Sequence, residues 1–290
     1  MKKNSISGIC FSLPAILYIL LTLIGPLLIA LYLSFTEFHF LYSHYPTFVG
    51  LRNYLRLFHD KQFITAVINT FYFSVVFFSF SLVFGLVIAL FLATEIRGSK
   101  VFNTMIFLPV IVPLSLTAVA FVWILDPDFG ILNYLLRSLG LRQLTRKWLS
   151  NPRFVIPSII GVSLWRYLGV SVVMFLGGLH GIPRELSDSA KIDGASAVEE
   201  LLYITLPNLK ETLLIVSVWN IMVSFKVFTQ VKVMTGGGPG TMSMVLYLYM
   251  YNNLYEYFRL GYASAISYFI AVVIVVFAYP YEKILKSERR

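Results

Sequence analysis

Residues 63–93 read FITAVINTFYFSVVFFSFSLVFGLVIALFLA, 31 positions without a charged side chain. At a rise of about 1.5 Å per residue, a helix of this length can cross a bilayer core about 30 Å thick. A transmembrane β-strand needs only about ten residues and alternates apolar with polar side chains, a pattern that this stretch lacks. The stretch therefore predicts a membrane-spanning helix.

Five more apolar blocks lie along the chain, at approximately residues 9–35, 101–125, 155–179, 212–234 and 261–281. Of the 290 residues, 58% are hydrophobic and only 13% are charged, whereas about a quarter of the residues of a soluble domain are charged. This composition excludes soluble enzyme classes. We predict an all-α polytopic membrane protein with six transmembrane helices in one membrane domain, residues 1–290.

The orientation follows from the charges that flank the first block. Lys2 and Lys3 precede it and Glu37 follows it, so the excess of positive charge on the cytoplasmic side places both termini in the cytoplasm. The net charge of +9 is better explained by anionic lipid headgroups than by nucleic acid, since the sequence has no basic patch with interleaved aromatics. With a single cysteine, Cys10, no intramolecular disulfide can form.

Two loops between the blocks carry helix periodicity of their own. In the loop of residues 37–62, apolar residues at spacings of three and four predict one face of a short amphipathic helix: Phe48, Leu51, Tyr54, Leu55 and Phe58. Residues 131–141 show the same pattern ahead of a basic stretch. Helices that lie at the membrane interface would explain both loops.

The segment between the fourth and fifth blocks, residues 180–211, differs from the rest of the chain in its charge. It contains six carboxylates and three cations, a net charge of −3 in a chain whose net charge is +9. The difference predicts a basic partner for this segment.

The same segment carries start and stop signals for two short helices. Pro183 suits a first helical turn, and Gly194 can end that helix in the left-handed conformation. Ser196 followed by Glu199 forms a capping box for a second helix, which Pro207 should end so that the chain turns before the fifth block. From these signals alone, an ordinary structured loop remains an alternative.

The spacing within this segment resembles the EAA motif of the membrane subunits of bacterial binding-protein-dependent ABC importers. The matching positions are Asp188, Ser189, Ala190, Gly194, Ile204, Leu206 and Pro207. Two of them depart from the family pattern, which has glutamate at 188 and alanine at 189. Aspartate keeps the carboxylate one methylene shorter, and serine keeps the small size.

Further stretches resemble the carbohydrate importer permeases within that family and extend the likeness over almost the whole chain. They are FVGLRNY at 48–54, WIL at 123–125 with Pro127, Gly130 and Asn133 after it, TGGGP at 235–239, and GYASA at 261–265. The resemblance implies a permease subunit in a bacterial inner membrane, forming half of a translocation pore.

The resemblance also implies partners and leaves this chain without a cofactor. A second permease, in a heterodimer with a paralogue, would complete the pore. An ATPase dimer would bind ATP and magnesium and receive the coupling loop around residues 183–203. An extracytoplasmic solute-binding protein would deliver the sugar. The chain itself would therefore not be an enzyme, and its sequence shows neither a catalytic constellation nor metal-ligand spacing of its four histidines.

Site residues follow from the motif and from charges within the apolar blocks. The resemblance assigns contact with the ATPase to Asp188 and the turn after the coupling helix to Gly194. Cations in membrane-spanning segments are costly and mark a functional site by default, which makes Arg166 and Lys226 candidates for a substrate path, with Trp165, Asn220 and Phe225 beside them to stack on or hydrogen-bond a sugar. Alternatively, Arg166 pairs with the partner subunit and Lys226 extends outward to the interface.

A rival hypothesis is an autonomous secondary transporter or channel for a small polar solute, in which Arg166 would serve an ion-coupled site. Six helices are few for that role, and the acidic two-helix loop would have no purpose in it. The two cations are compatible with an anionic sugar, whereas the family resemblance favours a neutral oligosaccharide.

Overall fold

A computed structural model describes residues 3–94 and 99–287. Lys2 and the side chains of Lys3 and Cys10, which enter the predictions above, lie outside the described part. The helices and strands in chain order are α1 (Lys3–Ile19), α2 (Gly25–Ser34), β1 (Thr36–Glu37), β2 (Thr47–Phe48), α3 (Arg52–His59), α4 (Lys61–Ala93), α5 (Ser99–Ile111), α6 (Leu114–Ile124), α7 (Ile131–Ser138), α8 (Val155–His180), α9 (Arg184–Ile192), α10 (Ala197–Glu200), α11 (Leu206–Asn208), α12 (Lys210–Phe225), α13 (Thr229–Met234), α14 (Leu246–Tyr251) and α15 (Leu260–Ser287). Short π-helical turns occupy Leu20–Ile24, Leu201–Thr205 and Asn252–Glu256.

Within the described residues, five helical stretches are long and apolar enough to cross a membrane: Phe11–Ser34, Lys61–Ala93, Val155–His180, Lys210–Met234 and Leu260–Phe277. They correspond to five of the six predicted blocks. The chain is a mostly helical, polytopic membrane protein, as the composition predicts.

The third predicted span, residues 101–125, is not the continuous helix that the sequence analysis expected. It consists of α5 and α6, which meet at an angle of 99°. Proline explains the break, because Pro113 has no N–H to donate and disfavours helical geometry at the residue before it. The chain has six spans if this bent pair counts as one span.

The contacts divide the chain into two compact units, and the first comprises Met1–Ile64 and Tyr249–Val272. In it, β1 and β2 pair antiparallel, with Thr36 opposite Phe48. The buried Asn53 of α3 donates hydrogen bonds to the carbonyl oxygens of Ser34 and Thr36, at 2.9 and 2.8 Å. These bonds attach the short helix α3 to the end of the first span.

Asp60 accepts a second set of hydrogen bonds that stabilises this unit. Its carboxylate accepts hydrogen bonds from the hydroxyls of Tyr249 and Tyr262 and from the backbone N–H groups of Gln62 and Phe63 at the start of α4. Burial raises the pKa of Asp60, but these four hydrogen bonds stabilise the charged form more, so that the pKa lies below its usual value. The residue therefore caps α4 as an ionised carboxylate.

The second unit comprises Thr65–Leu248 and Val273–Arg290. Its apolar core packs α4 against α8 and α12, through Ala89, Leu92, Val172, Phe175, Leu176 and Val216. Gly169 permits a close approach of two helices, because a Cβ atom at this position would lie 2.4 Å from the carbonyl oxygen of Ile106. The backbones of α5 and α8 are therefore in direct contact, as is typical where small residues line helix packing in membranes.

Both predicted loop helices are present, as α3 and α7. In α3 the apolar residues Leu51, Leu55 and Phe58 remain exposed, while Tyr54 is half-buried and its hydroxyl donates to Ser34. The helix is therefore present as predicted, but most of the predicted apolar face is exposed, and Asn53 and Leu57 are the buried residues of the helix. Only Tyr54 among the five residues of the predicted face turns inward.

Candidate functional sites: the loop between the fourth and fifth spans and the intramembrane polar residues

The first helix of the loop between the fourth and fifth spans, α9, ends as the sequence predicts. Gly194 has a φ of +81°, a conformation that costs residues with a Cβ about 1–2 kcal/mol. The N–H of Gly194 donates to the carbonyl of Lys191, and the N–H of Ala195 donates to that of Ala190. These two bonds form a Schellman motif, which satisfies the last carbonyl groups of the helix.

The second helix begins with the predicted capping box. The backbone N–H of Glu199 donates to the Ser196 hydroxyl, and the Glu199 carboxylate accepts from the Ser196 backbone N–H at 2.7 Å. The Ser196 backbone N–H and, to a smaller extent, the Ser196 hydroxyl donate to the Glu199 carboxylate and hold its pKa below its usual value. A contact that the sequence analysis missed joins the two helices, since the hydroxyl of Ser187 donates to the carboxylate of Glu200.

The prediction that Pro207 ends this helix is wrong. The helical path continues from Ala197 to Asn208 and, after one turn residue at Leu209, leads into α12. The π-helical turn Leu201–Thr205 lies directly before Pro207. Its wider i→i+5 bonding pattern shifts the carbonyl groups with which the proline ring would otherwise clash, so the helix accommodates the proline.

Both a carboxylate and large apolar side chains of the loop are exposed. Asp188 and Ser189 are exposed, whereas Ala190 faces inward and is only 8% exposed. Large apolar side chains are exposed as well, with Ile192 at 87% and Tyr203 at 77%. A cleft of about 430 Å³ lies beside Asp188, between the loop and the end of α4. Such a combination of exposed apolar and charged groups is typical of a protein interface.

Arg166 lies in α8 and has unsatisfied hydrogen-bonding capacity. Its Nε and Nη1 atoms are buried and make no hydrogen bond, and the guanidinium carbon lies 5.4 Å from the ring centre of Tyr167. The neighbouring Trp165 is 45% exposed and packs edge-on against Phe121. Buried N–H donors without an acceptor are costly, so this half-buried side chain is suited to receive an acceptor from outside the chain.

The structure gives Asn220 a position that the sequence analysis did not foresee. Its side chain is fully buried and forms a hydrogen-bonded cluster with two serines. The Ser81 hydroxyl donates to Asn220 Oδ1 at 2.9 Å, the Asn220 amide donates to Ser171 at 3.2 Å, and the two serine oxygens lie 3.0 Å apart. The cluster joins α4, α8 and α12. This position is typical of a residue that stabilises the packing of helices.

The other two candidates for the substrate path differ from each other in exposure. Phe225 is buried and packs against Phe71 and Phe277. Lys226 is exposed and ends α12, where the helix breaks before α13. The five path candidates therefore do not form one continuous polar surface. Across residues 3–94 and 99–287, no group of three or more His, Cys, Asp or Glu side chains could hold a metal ion.

The fold and the loop define a polytopic membrane protein that presents a capped helix pair between two of its spans. Comparison with known proteins identifies its family. Residues 81–282 match the family described as "Binding-protein-dependent transport system inner membrane component". The ABC transporter permease protein YurN of Bacillus subtilis is 32% identical over 289 residues, which cover 99% of this chain and 98% of YurN.

Two further matches are also extensive. The trehalose/maltose transport system permease protein MalF of Thermococcus litoralis is 34% identical over 244 residues, 83% of this chain and 81% of MalF. A chain of a bacterial alginate ABC transporter, crystallised in complex with an alginate pentasaccharide-bound periplasmic protein, matches with a TM-score of 0.82 and 26% identity, covering 96% of this chain and 93% of that chain.

The chain belongs to the family of inner membrane components of binding-protein-dependent transport systems, as a permease subunit of an ABC importer. This confirms the family that the sequence analysis identified from the spacing of the loop. The chain is a multi-pass protein of the inner membrane, and a solute-binding protein is among its partners.

Proposed function

We propose that this chain is half of the pore of an ATP-driven carbohydrate importer. The trehalose/maltose permease and the alginate transporter support a carbohydrate substrate, because the likeness to each extends over most of the chain. The observation that carries the proposal is the coupling loop, in which a Schellman-capped helix and a capping-box helix present the exposed carboxylate of Asp188 beside exposed apolar side chains.

In this proposal the loop of residues 183–203 is cytoplasmic and docks on an ATPase dimer that binds ATP and magnesium. Asp188 pairs with a basic residue of the ATPase, while Ser189, Ala190, Gly194, Ile204 and Pro207 maintain the shape of the loop. The net negative charge of the segment complements such a partner. Closure of the ATPase dimer then moves α9, and the rigid helices transmit this motion to the pore.

The remaining parts of the importer follow from the same proposal. The chain forms one permease domain of six spans, with the bent pair α5–α6 counted as one, and both termini lie in the cytoplasm. A second permease, in a heterodimer with a paralogue, completes the pore. This chain binds no cofactor of its own.

The proposed substrate path includes Arg166, and its strongest support is that the buried Nε and Nη1 atoms of this residue make no hydrogen bond within the chain. Trp165 and Lys226 are exposed and can reach a solute in the pore. Asn220 and Phe225 are buried and therefore contribute to the path indirectly, by packing the helices that line it.

A purification tests the assembly. The chain is isolated from mildly solubilised native membranes, and the proteins that accompany it are identified by mass spectrometry. We expect an ATPase and a second permease. Recovery of a folded chain alone would contradict the proposal and favour an autonomous transporter.

Transport measurements test the coupling role of Asp188. A charge-assisted hydrogen bond of about 1.5–3 kcal/mol predicts that Asp188→Lys lowers ATP-driven uptake by about 10- to 100-fold while the permease remains inserted. Asp193→Lys is the matched control, since it makes the same charge change at the exposed end of α9. Equal losses in both variants would show that the charge of the loop matters and that Asp188 has no particular role.

The turn at Gly194 is tested in the same assay. Proline fixes φ near −65° and cannot adopt the φ of +81° found here. Gly194→Pro should therefore misdirect α9 and abolish uptake. Proline at another glycine, such as Gly177 of α8, is unsuitable as a control because it would break a membrane-spanning helix. Gly194→Asn is the informative comparison, because asparagine tolerates the left-handed region, and it should retain most of the uptake. Normal uptake by the proline variant would contradict the proposal.

A further inference from the structure

An apolar cleft of about 300 Å³ lies between the end of α6 and the start of α8. Its walls are the aromatic rings of Phe121, Trp148 and Phe154, and Gly161 lies on its lining without a side chain to fill it. A Cβ atom added at Gly161 would meet nothing within 4 Å. The cleft therefore has room for an extended apolar group.

A buried asparagine fixes the walls of this cleft. Asn133 of α7 is only 2% exposed, and its Oδ1 accepts a hydrogen bond from the indole N–H of Trp148 at 2.9 Å. Its amide donates to the carbonyl oxygens of Pro127 and Arg146 at 3.1 and 2.9 Å. Because the polar atom of Trp148 is satisfied within the chain, the indole ring presents apolar surface to the cleft.

The helix beside the cleft exposes an apolar stripe. Four residues of α7 and its C-terminal end lie on one helical face and are each between 49% and 72% exposed: Ile131, Tyr134, Leu135 and Leu139. A helix that exposes such a face at the end of two membrane-spanning segments is suited to lie in the plane of the bilayer interface. This places the cleft at the depth of the lipid headgroups.

One cation lies over an aromatic wall of the cleft, and others are close to the walls in the sequence. Residues 137–153 contain five Arg or Lys side chains and no acidic one. The guanidinium of Arg146 lies 5.6 Å from the ring centre of Phe154, and the exposed Lys147 and Arg153 directly adjoin Trp148 and Phe154 in the chain. An apolar cleft with a cationic rim at a bilayer interface complements a molecule with an apolar chain and an anionic head.

We propose that this cleft is a binding site for an anionic phospholipid of the leaflet in which α7 lies. One acyl chain occupies the cleft over Gly161, between the rings of Phe121, Trp148 and Phe154, and the phosphate is held by Arg146, Lys147 and Arg153. The site goes beyond the proposed transport function, because it requires only that α8 and the bent pair α5–α6 lie in a membrane.

Lipid titration of the purified full-chain assembly tests the site. Phosphatidylglycerol and phosphatidylcholine are added separately in detergent, and the bound lipids are counted by native mass spectrometry. Each surface cation contributes roughly a fivefold preference for anionic lipid, so the double variant Lys147→Gln with Arg153→Gln should bind phosphatidylglycerol about 25-fold more weakly. The control Arg52→Gln with Arg56→Gln removes the same charge from the loop of residues 37–62 and should change this affinity less than twofold.

A second pair of variants tests the acyl-chain position. Gly161→Ile should fill the cleft and remove both lipids from the site, whereas Gly177→Ile makes the same change on α8 at another exposed glycine with no atom within 4 Å and should leave binding unchanged. Size-exclusion chromatography shows whether each variant inserts and still assembles with its permease partner. Equal affinity of the wild type for the two lipids, or equal effects of the two isoleucines, would overturn the proposal. So would loss of the permease partner on Gly161→Ile, because that result would assign the cleft to the partner subunit.

Discussion

The centre of the membrane-spanning region and the loop between the fourth and fifth spans are stabilised in different ways. Around Asn220, three helices are joined by buried hydrogen bonds, and every polar group of the cluster finds its partner within the chain. In the loop of residues 183–203, two short helices are held mainly by their own caps. Side chains such as Ile192 and Asp188 stay exposed there.

The difference separates residues that hold the subunit together from residues that, in the proposed function, act on a partner. Substitutions at the centre should lower the stability of the permease whether or not the other subunits are present. Substitutions on the surface of the loop should leave stability nearly unchanged and reduce coupling. The variants below address each side of this distinction, from the largest expected effect to the smallest.

Gly169→Ala should have the largest effect on stability. The added Cβ atom would lie 2.4 Å from the carbonyl oxygen of Ile106, so α5 and α8 must separate, at a cost of about 3 kcal/mol. Thermal unfolding in detergent should show a clear fall of the midpoint. Gly177→Ala is the matched control on the same helix, because its Cβ atom would meet nothing within 4 Å, and alanine should be neutral or slightly stabilising there. Similar midpoints for both variants would contradict direct backbone contact at Gly169.

Asn220→Leu should lower stability by about 1 kcal/mol. The two serine hydroxyls would retain their mutual contact at 3.0 Å but lose the amide, and interhelical hydrogen bonds in membranes contribute on average about 0.6 kcal/mol each. A double-mutant cycle with Ser171→Ala isolates the coupling between the two side chains.

Asn208→Leu is the control for this cycle. Its amide is exposed and donates only to the carbonyl of Ile204, one turn away in the same helical path. We expect the control to change stability by less than about 0.5 kcal/mol. If the cycle with Ser171→Ala showed no coupling energy, the cluster would not be what holds α4, α8 and α12 together.

Local signals predicted the loop well because its geometry depends on neighbouring residues. The glycine at 194 and the pairing of Ser196 with Glu199 each specify a cap within a few positions, and both caps occur as expected. The positions of the spans were predictable for a similar reason, since a continuous apolar block needs no partner to indicate its environment.

The failures concern features that depend on more distant packing. Pro113 and Pro207 each lie in an apolar or helical stretch, so the two look alike in the sequence. In the structure, Pro113 breaks the third span, whereas Pro207 is accommodated by a π-helical turn. Whether the neighbouring backbone bends or widens depends on what packs against it. The role of Asn220 was missed likewise, because no pattern in the sequence shows that Ser81 and Ser171 meet it across two other helices.

Ser196→Ala gives the smallest effect and tests whether the loop depends on its own caps. Loss of an N-cap hydroxyl costs a helix about 1 kcal/mol, and because the short helix α10 is exposed, the loss should be confined to the loop. Hydrogen exchange of residues 197–202 should accelerate, while the thermal midpoint of the permease stays the same. A lower midpoint would mean that the loop and the membrane-spanning centre unfold as one unit.

The titration of Glu199 provides a second measure of the same cap. Its pKa is lowered in the folded protein by hydrogen bonds from Ser196, so the cap stabilises the loop above the unfolded pKa of the carboxyl, and this contribution is lost as the pH falls through the folded pKa. The backbone of Ser196 is the larger cause and its hydroxyl the smaller. Ser196→Ala should therefore raise the pKa of Glu199 only partway towards its ordinary value in a carboxyl NMR titration. A return to the full ordinary value would show that the hydroxyl holds the whole capping box together, because the backbone bond would then have been lost with it.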